Sequence, residues 1–134
     1  MEILDLVLMR KYYDQIECGE KPEEYRDTCI WCARLLDVDR DGYGHFQHAC
    51  RGDFEDLLMS CHDSLSYFTT LLKDAIEKGI YQFRKYDAVR FHRGYTNTTM
   101  IFAFKESSIG YGNTAWGAPE DNEVFIIKLG ERLE

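Results

Sequence analysis

Residues 2–9, EILDLVLM, set Leu4, Leu6 and Leu8 alternating with Ile3, Asp5, Val7 and Met9. Period-two alternation predicts a strand, and because both sets are mostly apolar it predicts one covered on both faces. In KYYDQIEC, 11–18, Tyr12, Tyr13 and Ile16 fall at helical spacing, and Gly19 suits the C′ position that ends a helix. PEEYRD, 22–27, then predicts a second strand opened by Pro22, where a missing N–H costs little.

From Asp37 to Lys85 the texture changes. DVDRDGYG is a charged, Gly-rich turn. Phe54, Leu57, Leu58, Cys61, Leu65, Phe68, Leu72, Ala75 and Ile76 then make one apolar stripe of an amphipathic helix over 54–78, with Asp53 as N-cap and Gly79 as its stop. Unbroken, it would run about 37 Å at a rise of about 1.5 Å per residue; SCHDS, 60–64, is where it would divide. The last third is β. YDAVRFHR (86–93) and TMIFAFKE (99–106) predict strands joined by the polar turn GYTNT, SSIGYGNTAWGAPEDN (107–122) a long Gly-rich connection, and EVFIIKL (123–129) an apolar, central strand. The order β-α-β, helical block, β-β-β points to an α+β fold, a small mixed sheet or half-open barrel with a helical elaboration.

Composition narrows the function classes. The 134 residues suit one domain, and 45 % hydrophobic with 14 % aromatic content supports a full core. The net charge of -8 repels nucleic acid at long range, so any RNA contact has to use a local basic patch. No apolar run approaches the roughly 18 residues of a membrane span, and no basic n-region precedes the first apolar stretch, so no membrane partner and no signal peptide are expected. Five cysteines without a secretion signal fit reduced thiols and a cytoplasmic location.

The segment GEKPEEYR, 19–26, crowds five charges around a proline. On a strand Glu24 and Arg26 share a face, with Lys21 at its entrance on that side, where a lysine is expected to bury little; Glu23 and Tyr25 take the other face. Two cations and a carboxylate on one face suit a planar polar ligand or an oxyanion, and a surface ion-pair ladder is the plainer alternative. The spacing G-x-K-x-x-E-x-R is filled by Gly19, Lys21, Glu24 and Arg26, and it resembles the motif of the ASCH domain family. Trp31-Cys32-Ala33-Arg34-Leu35, FHRGYT and GNTAWGAPEDNEVFIIKLGERL extend that resemblance over roughly 1–36 and 86–132, similar to a bacterial and phage branch.

The resemblance implies a PUA-like β-barrel, a single domain over 1–134 with 37–85 as a helical insertion. It also implies a motif-lined cleft between the first helix and the barrel that binds RNA or a nucleoside or nucleotide. One branch of the family removes acetyl from N4-acetylcytidine and another is reported as a ribonuclease. In the amidohydrolase branch the motif Lys is catalytic, which Lys21 matches, but a Thr stands where this chain has Glu24. Here Glu24 would act as general base on water while Lys21 polarises the carbonyl. The alternatives are thus a binding module, a small hydrolase using Lys21 and Glu24, and a protein-interaction module acting through the inserted helix.

Residues 81–105 hold five cations, Arg84, Lys85, Arg90, Arg93 and Lys105, against the single acid Asp87, with Tyr86, Phe91 and Tyr95 interleaved. Such a patch suits single-stranded nucleic acid, or else is a hairpin with aromatics in the core and arginines at the surface. Arg26, Arg90, Arg93, Tyr95 and Trp116 are therefore the candidate ligand-binding residues. DVDRDG opens like a calcium loop through Asp37, Asp39 and Asp41, but position twelve is His48 instead of a glutamate. Cys29, Cys32, His45 and Cys50 have zinc-like spacing without a finger's core. No metal is expected to hold the fold, and with neither P-loop nor Rossmann fingerprint no cofactor is expected.

Overall fold

The computed structural model describes all of residues 1–134. Its strands are β1 (Ile3–Leu8), β2 (Glu23–Arg26), β3 (Leu36–Asp39), β4 (Phe46–His48), β5 (Tyr81–Phe83), β6 (Ala88–Arg93), β7 (Thr99–Gly110) and β8 (Val124–Arg132). Its helices are α1 (Arg10–Glu17), α2 (Thr28–Leu35), α3 (Glu55–Ser60) and α4 (Leu65–Glu77), with single 3-10 turns at Arg51–Phe54 and Thr114–Trp116. The fold is α+β. A five-stranded mixed sheet in the order β1-β6-β7-β8-β2 curls into a half-barrel, and β4-β3-β5 form a second, antiparallel sheet. In the large sheet β1 runs parallel to β6, whereas β6–β7, β7–β8 and β8–β2 are antiparallel.

The curl brings the two edges of the large sheet together. Arg26 on β2 donates from Nη2 to the Val7 carbonyl on β1 at 3.0 Å, and Arg34 on α2 donates to the Asp5 carbonyl at 3.4 Å. Two guanidinium groups thus satisfy carbonyls on the free edge of β1 that no strand reaches. Both stack on Trp31, at 4.7 and 4.8 Å from its ring centre. Leu4, Leu6 and Leu8 point into the core, but Val7 and Met9 are exposed. The strand expected to be covered on both faces is therefore an edge strand with one face outward.

Two other expectations change, and the long stripe divides where the sequence placed its break. The stripe over 54–78 belongs to two helices: His62 and Asp63 adopt positive φ of 46° and 65°, and Ser64 caps α4 by accepting from the Tyr67 N–H. The division falls inside SCHDS. The segment 37–85 is not only helical, because it carries β4, β5 and most of β3. SSIG, read as connection, continues β7 to Gly110. EVFIIKL lies between β7 and β2, inside the sheet as expected.

Phe54, Cys61, Phe68, Leu72 and Ala75 from the stripe share one buried cluster with Leu4, Leu6, Phe91, Phe125 and Ile127 of the large sheet. Thr28 on α2 and Thr69 on α4, both buried, pair their hydroxyls at 2.9 Å. The helix face considered as a surface for a partner protein is consequently turned inward.

Leu72→Ala should cost about 2–5 kcal/mol in chemical denaturation, as for other fully buried leucines. Replacing 38–83 by a short linker should abolish cooperative unfolding, because it removes side chains from the cluster that holds the half-barrel; a cooperative transition in the shortened chain would show that the two parts have separable cores.

Candidate functional site

Local chain geometry places Lys21. Helix α1 ends at Gly19, whose φ of 86° is a left-handed turn open to glycine, and its N–H donates to the Ile16 carbonyl. The Lys21 N–H then reaches back to the Gln15 carbonyl at 3.0 Å. Pro22 leads into β2, and its carbonyl accepts from the Leu129 N–H. Along β2, Glu24 and Arg26 share the face that pleating predicts.

Lys21, Glu24 and Arg26 form one constellation. Lys21 Nζ meets Glu24 Oε1 at 2.7 Å and Arg26 Nη2 meets Glu24 Oε2 at 2.7 Å, so each carboxylate oxygen carries one cation. The side chains are only 1 %, 6 % and 16 % exposed for Lys21, Glu24 and Arg26. The expectation of a lysine that buries little is therefore wrong: the chain folds back over it at the end of α1. The ammonium also lies 4.5 Å from the Tyr12 ring centre and 5.4 Å from that of Tyr25, which favours charge in a dry setting.

The connection after β7 covers these two tyrosines. A Cβ at Gly112 would lie 2.6 Å from the Tyr25 ring, and one at Gly117, where φ is 97°, would lie 2.7 Å from the Tyr12 ring. Gln15 Nε2 donates to the Ala115 carbonyl, tying α1 to the same segment. The Tyr25 hydroxyl accepts from the Asn113 N–H at 3.0 Å and donates to Glu23 Oε2 at 2.7 Å. Burial pushes the Tyr25 phenol well above its usual range; the Asn113 bond opposes that shift and the Glu23 bond adds to it, so the hydroxyl keeps its proton. Tyr12, Tyr25, Gly112, Asn113 and Gly117 were not singled out from the sequence. The GYGNTAWGAP run carried the signal, glycines spaced for two close approaches.

Beside this constellation lies an open cavity of about 270 Å³, lined by Tyr25, Arg26, Asp27, Leu65, Gly117, Pro119, Asn122 and Val124. Its volume sits just under the roughly 300 Å³ at which small-molecule pockets begin. Arg26, one of the lining residues, has its Nε buried without an acceptor, Asn122 contributes an amide donor and acceptor, and Tyr25, Leu65 and Pro119 give apolar walls. Trp116 packs on the cluster of Tyr25, Ala118, Val124 and Ile126, next to the cavity but outside its lining. Another cavity of about 260 Å³ is lined by Cys29, Ile30, Cys32, Ala33, Phe54 and Leu58 with Arg51 as its one charge, and offers little to orient a polar ligand.

The other candidates sit apart from the motif. Arg90 pairs with Asp5 at 3.2 Å, and Arg93 grips both oxygens of Asp14 on α1 at 3.0 and 3.1 Å. His92 also meets Asp5, at 2.8 Å. Burial pushes the Asp5 carboxyl up, but the bond from His92 and the charge of Arg90 outweigh it and hold the group below its usual value. Tyr95 is fully exposed on the β6–β7 turn. None of Arg90, Arg93 or Tyr95 shares a partner with Lys21, Glu24 or Arg26.

The metal-like spacings do not converge on a site. Asp39 accepts from the Gly42 and Gly44 N–H groups and Asp41 from Tyr43, shaping the β3–β4 hairpin, while Asp37 holds His48. His45 pairs with Asp41 at the hairpin, whereas Cys32 is buried on α2 with its thiol pushed up to about 11 by desolvation. No group of three or more His, Cys, Asp or Glu side chains is arranged to hold an ion, and no helix is long and apolar enough to cross a membrane.

No family model, curated protein or solved structure matches the chain.

Lys21→Ala should destabilise the protein by about 3 kcal/mol, the low end for a broken buried pair, because Arg26 still holds one oxygen of Glu24. Urea titration of the variant measures this; a loss under about 0.5 kcal/mol, as at an ordinary surface position, would mean the pair opens readily in solution.

Proposed function

We propose that this protein is a binding module for a nucleoside, nucleotide or short single-stranded RNA, held in the cleft beside the Lys21–Glu24–Arg26 motif. Arg26, which lines that cleft and has an Nε without an acceptor, carries the reading. A buried guanidinium N–H without an acceptor calls for a polar ligand atom, and Arg26 is held in place by Glu24, Val7 and Trp31. Tyr25 and Pro119 offer walls for a planar ring, and Asn122 suits the donor–acceptor edge of a base. The similarity of G-x-K-x-x-E-x-R to the ASCH motif supports the same ligand class.

A hydrolase built on Lys21 and Glu24 fits less well. The two groups bond to each other directly and are shielded from water, which leaves no room for a nucleophile between them. Lys21 acts instead by fixing the carboxylate that orients Arg26.

A screen of modified nucleosides, mononucleotides and short RNAs by thermal shift tests the proposal. A ligand at 100 times its dissociation constant should add about 2.7 kcal/mol of stability. Asn122→Ala should abolish the shift while changing the stability of the free protein by no more than about 0.5 kcal/mol. Stabilisation by none of these compounds, or full retention of it in Asn122→Ala, would overturn the assignment. Turnover that survives in Lys21→Arg but is lost in Glu24→Gln would move the reading towards a base-catalysed hydrolase.

A further inference from the structure

A third cleft, of about 210 Å³, opens between the β5–β6 connection and β7, lined by Phe83, Arg84, Lys85, Tyr86, Phe104, Lys105, Glu106 and Ser107. It shares no residue with the cleft at Arg26. We propose that it is a phosphoryl-binding site, taking a phosphate monoester or one phosphate of a phosphodiester.

Two of the five buried polar side-chain atoms left without a partner, Arg84 Nε and Ser107 Oγ, belong to residues lining this one cleft. Buried donors rarely stay unpaired, and a cleft bordered by two residues that hold such donors is the nearest place for an acceptor. The Arg84 guanidinium is held in place from other sides. It lies 5.0 Å from the Tyr86 ring centre, and its Nη2 touches Glu2 at 3.3 Å. Tyr86 is fixed in turn by a hydrogen bond to the Arg34 carbonyl and by edge packing on Phe104, 5.8 Å between ring centres.

Lys85 and Lys105 are exposed and form no ion pair, whereas Lys21, Lys73, Lys78 and Lys128 each hold a carboxylate. In a chain of net charge -8, two unpaired lysines beside an oriented arginine form a local positive site. The acids near them are engaged: Glu106 reaches Lys128 at 3.5 Å, and Asp87 accepts from the Glu2 N–H at 2.7 Å.

The backbone is adapted at the same place. Pairing of β7 with β6 ends at Ala103, and its register with β8 shifts twice between Phe102 and Glu106. Bulges of this kind re-aim side chains, here allowing consecutive residues 104–107 to line one cleft. Four donors approaching from different side chains match the several oxygens of a tetrahedral phosphoryl group better than the two of a carboxylate.

The test is an NMR titration of ¹⁵N-labelled protein at constant ionic strength in chloride, with inorganic phosphate, a 5′-mononucleotide and a short unstructured oligoribonucleotide as probes. Saturable shifts of the amides of Arg84–Tyr86 and Lys105–Ser107 are expected with phosphate. The double variant Lys85→Ala/Lys105→Ala, altered only at exposed side chains, should weaken binding about tenfold or more, and Ser107→Ala should weaken it with both lysines intact. If the oligonucleotide binds more tightly than the mononucleotide, with a log–log salt slope that falls by about one in the double variant, the phosphate belongs to a nucleic-acid chain; equal affinity identifies a small phosphate ester. Absence of saturable shifts at these amides, or unchanged affinity in the double variant, overturns the proposal. Asn122→Ala leaves this binding intact, so failure at one cleft is distinguishable from failure at the other.

Discussion

The Glu24 carboxylate joins three parts of the chain that no backbone pairing connects. Through Lys21 it holds the turn that leaves α1, and through Arg26 it reaches β1 at the opposite edge of the large sheet. Removing either cation leaves charge buried with less compensation, so the three side chains constrain one another more tightly than three surface charges would. The curl of the half-barrel and the covering of Tyr12 and Tyr25 both rest on that arrangement. Ion pairs this dry contribute little net stability over an apolar cluster of the same volume, but they admit only one geometry. Here that geometry fixes where the guanidinium of Arg26 lies.

The motif therefore divides into an inner part and an outer part. Lys21 and Glu24 face each other, both buried, whereas Arg26 has a flank on the open cleft. A spacing that suggests acid–base chemistry is, in three dimensions, a support for a single donor at the cavity wall. Catalysis at this position would need a general base able to reach water, and both oxygens of Glu24 are already held, one by the Lys21 ammonium and one by the Arg26 guanidinium.

Period and turn chemistry made much of the fold legible. The strand alternation of β1, the helix closed by Gly19, the shared face of Glu24 and Arg26 and the interior place of β8 all follow from local rules. The β4-β3-β5 sheet did not. Its strands are three or four residues long, so the alternation of LDVD is too short to separate it from the charged turn that follows, and FQH offers still less. The break in the 54–78 stripe was legible as the polar SCHDS stretch, but not its form, since it uses left-handed backbone at His62 and Asp63 that non-glycine residues seldom adopt. Burial of Lys21 was illegible for a different reason. It arises where the chain turns back after α1 and sets the ammonium against the Tyr12 and Tyr25 rings, and those rings are packed in turn by Gly117 and Gly112, some ninety residues later in the chain.

Charge counting along the sequence also misplaced the positive surface. Residues 81–105 hold five cations, yet Arg90 and Arg93 are matched to Asp5 and Asp14, acids from the first fifteen residues that the fold brings beside them. The partners come from β1 and α1, so a local window cannot see them. What remains unmatched is set by topology. Lys85 and Lys105 flank a seam where β7 has left β6 and has a shifted register with β8, and no acidic strand runs alongside. The unpaired part of the basic run is thus the part beside irregular backbone and unsatisfied donors, whereas the part on regular, paired strands is neutralised. Since exposed charges more than about 8–10 Å apart are largely screened at physiological salt, an acidic molecule can keep such a positive site on its surface.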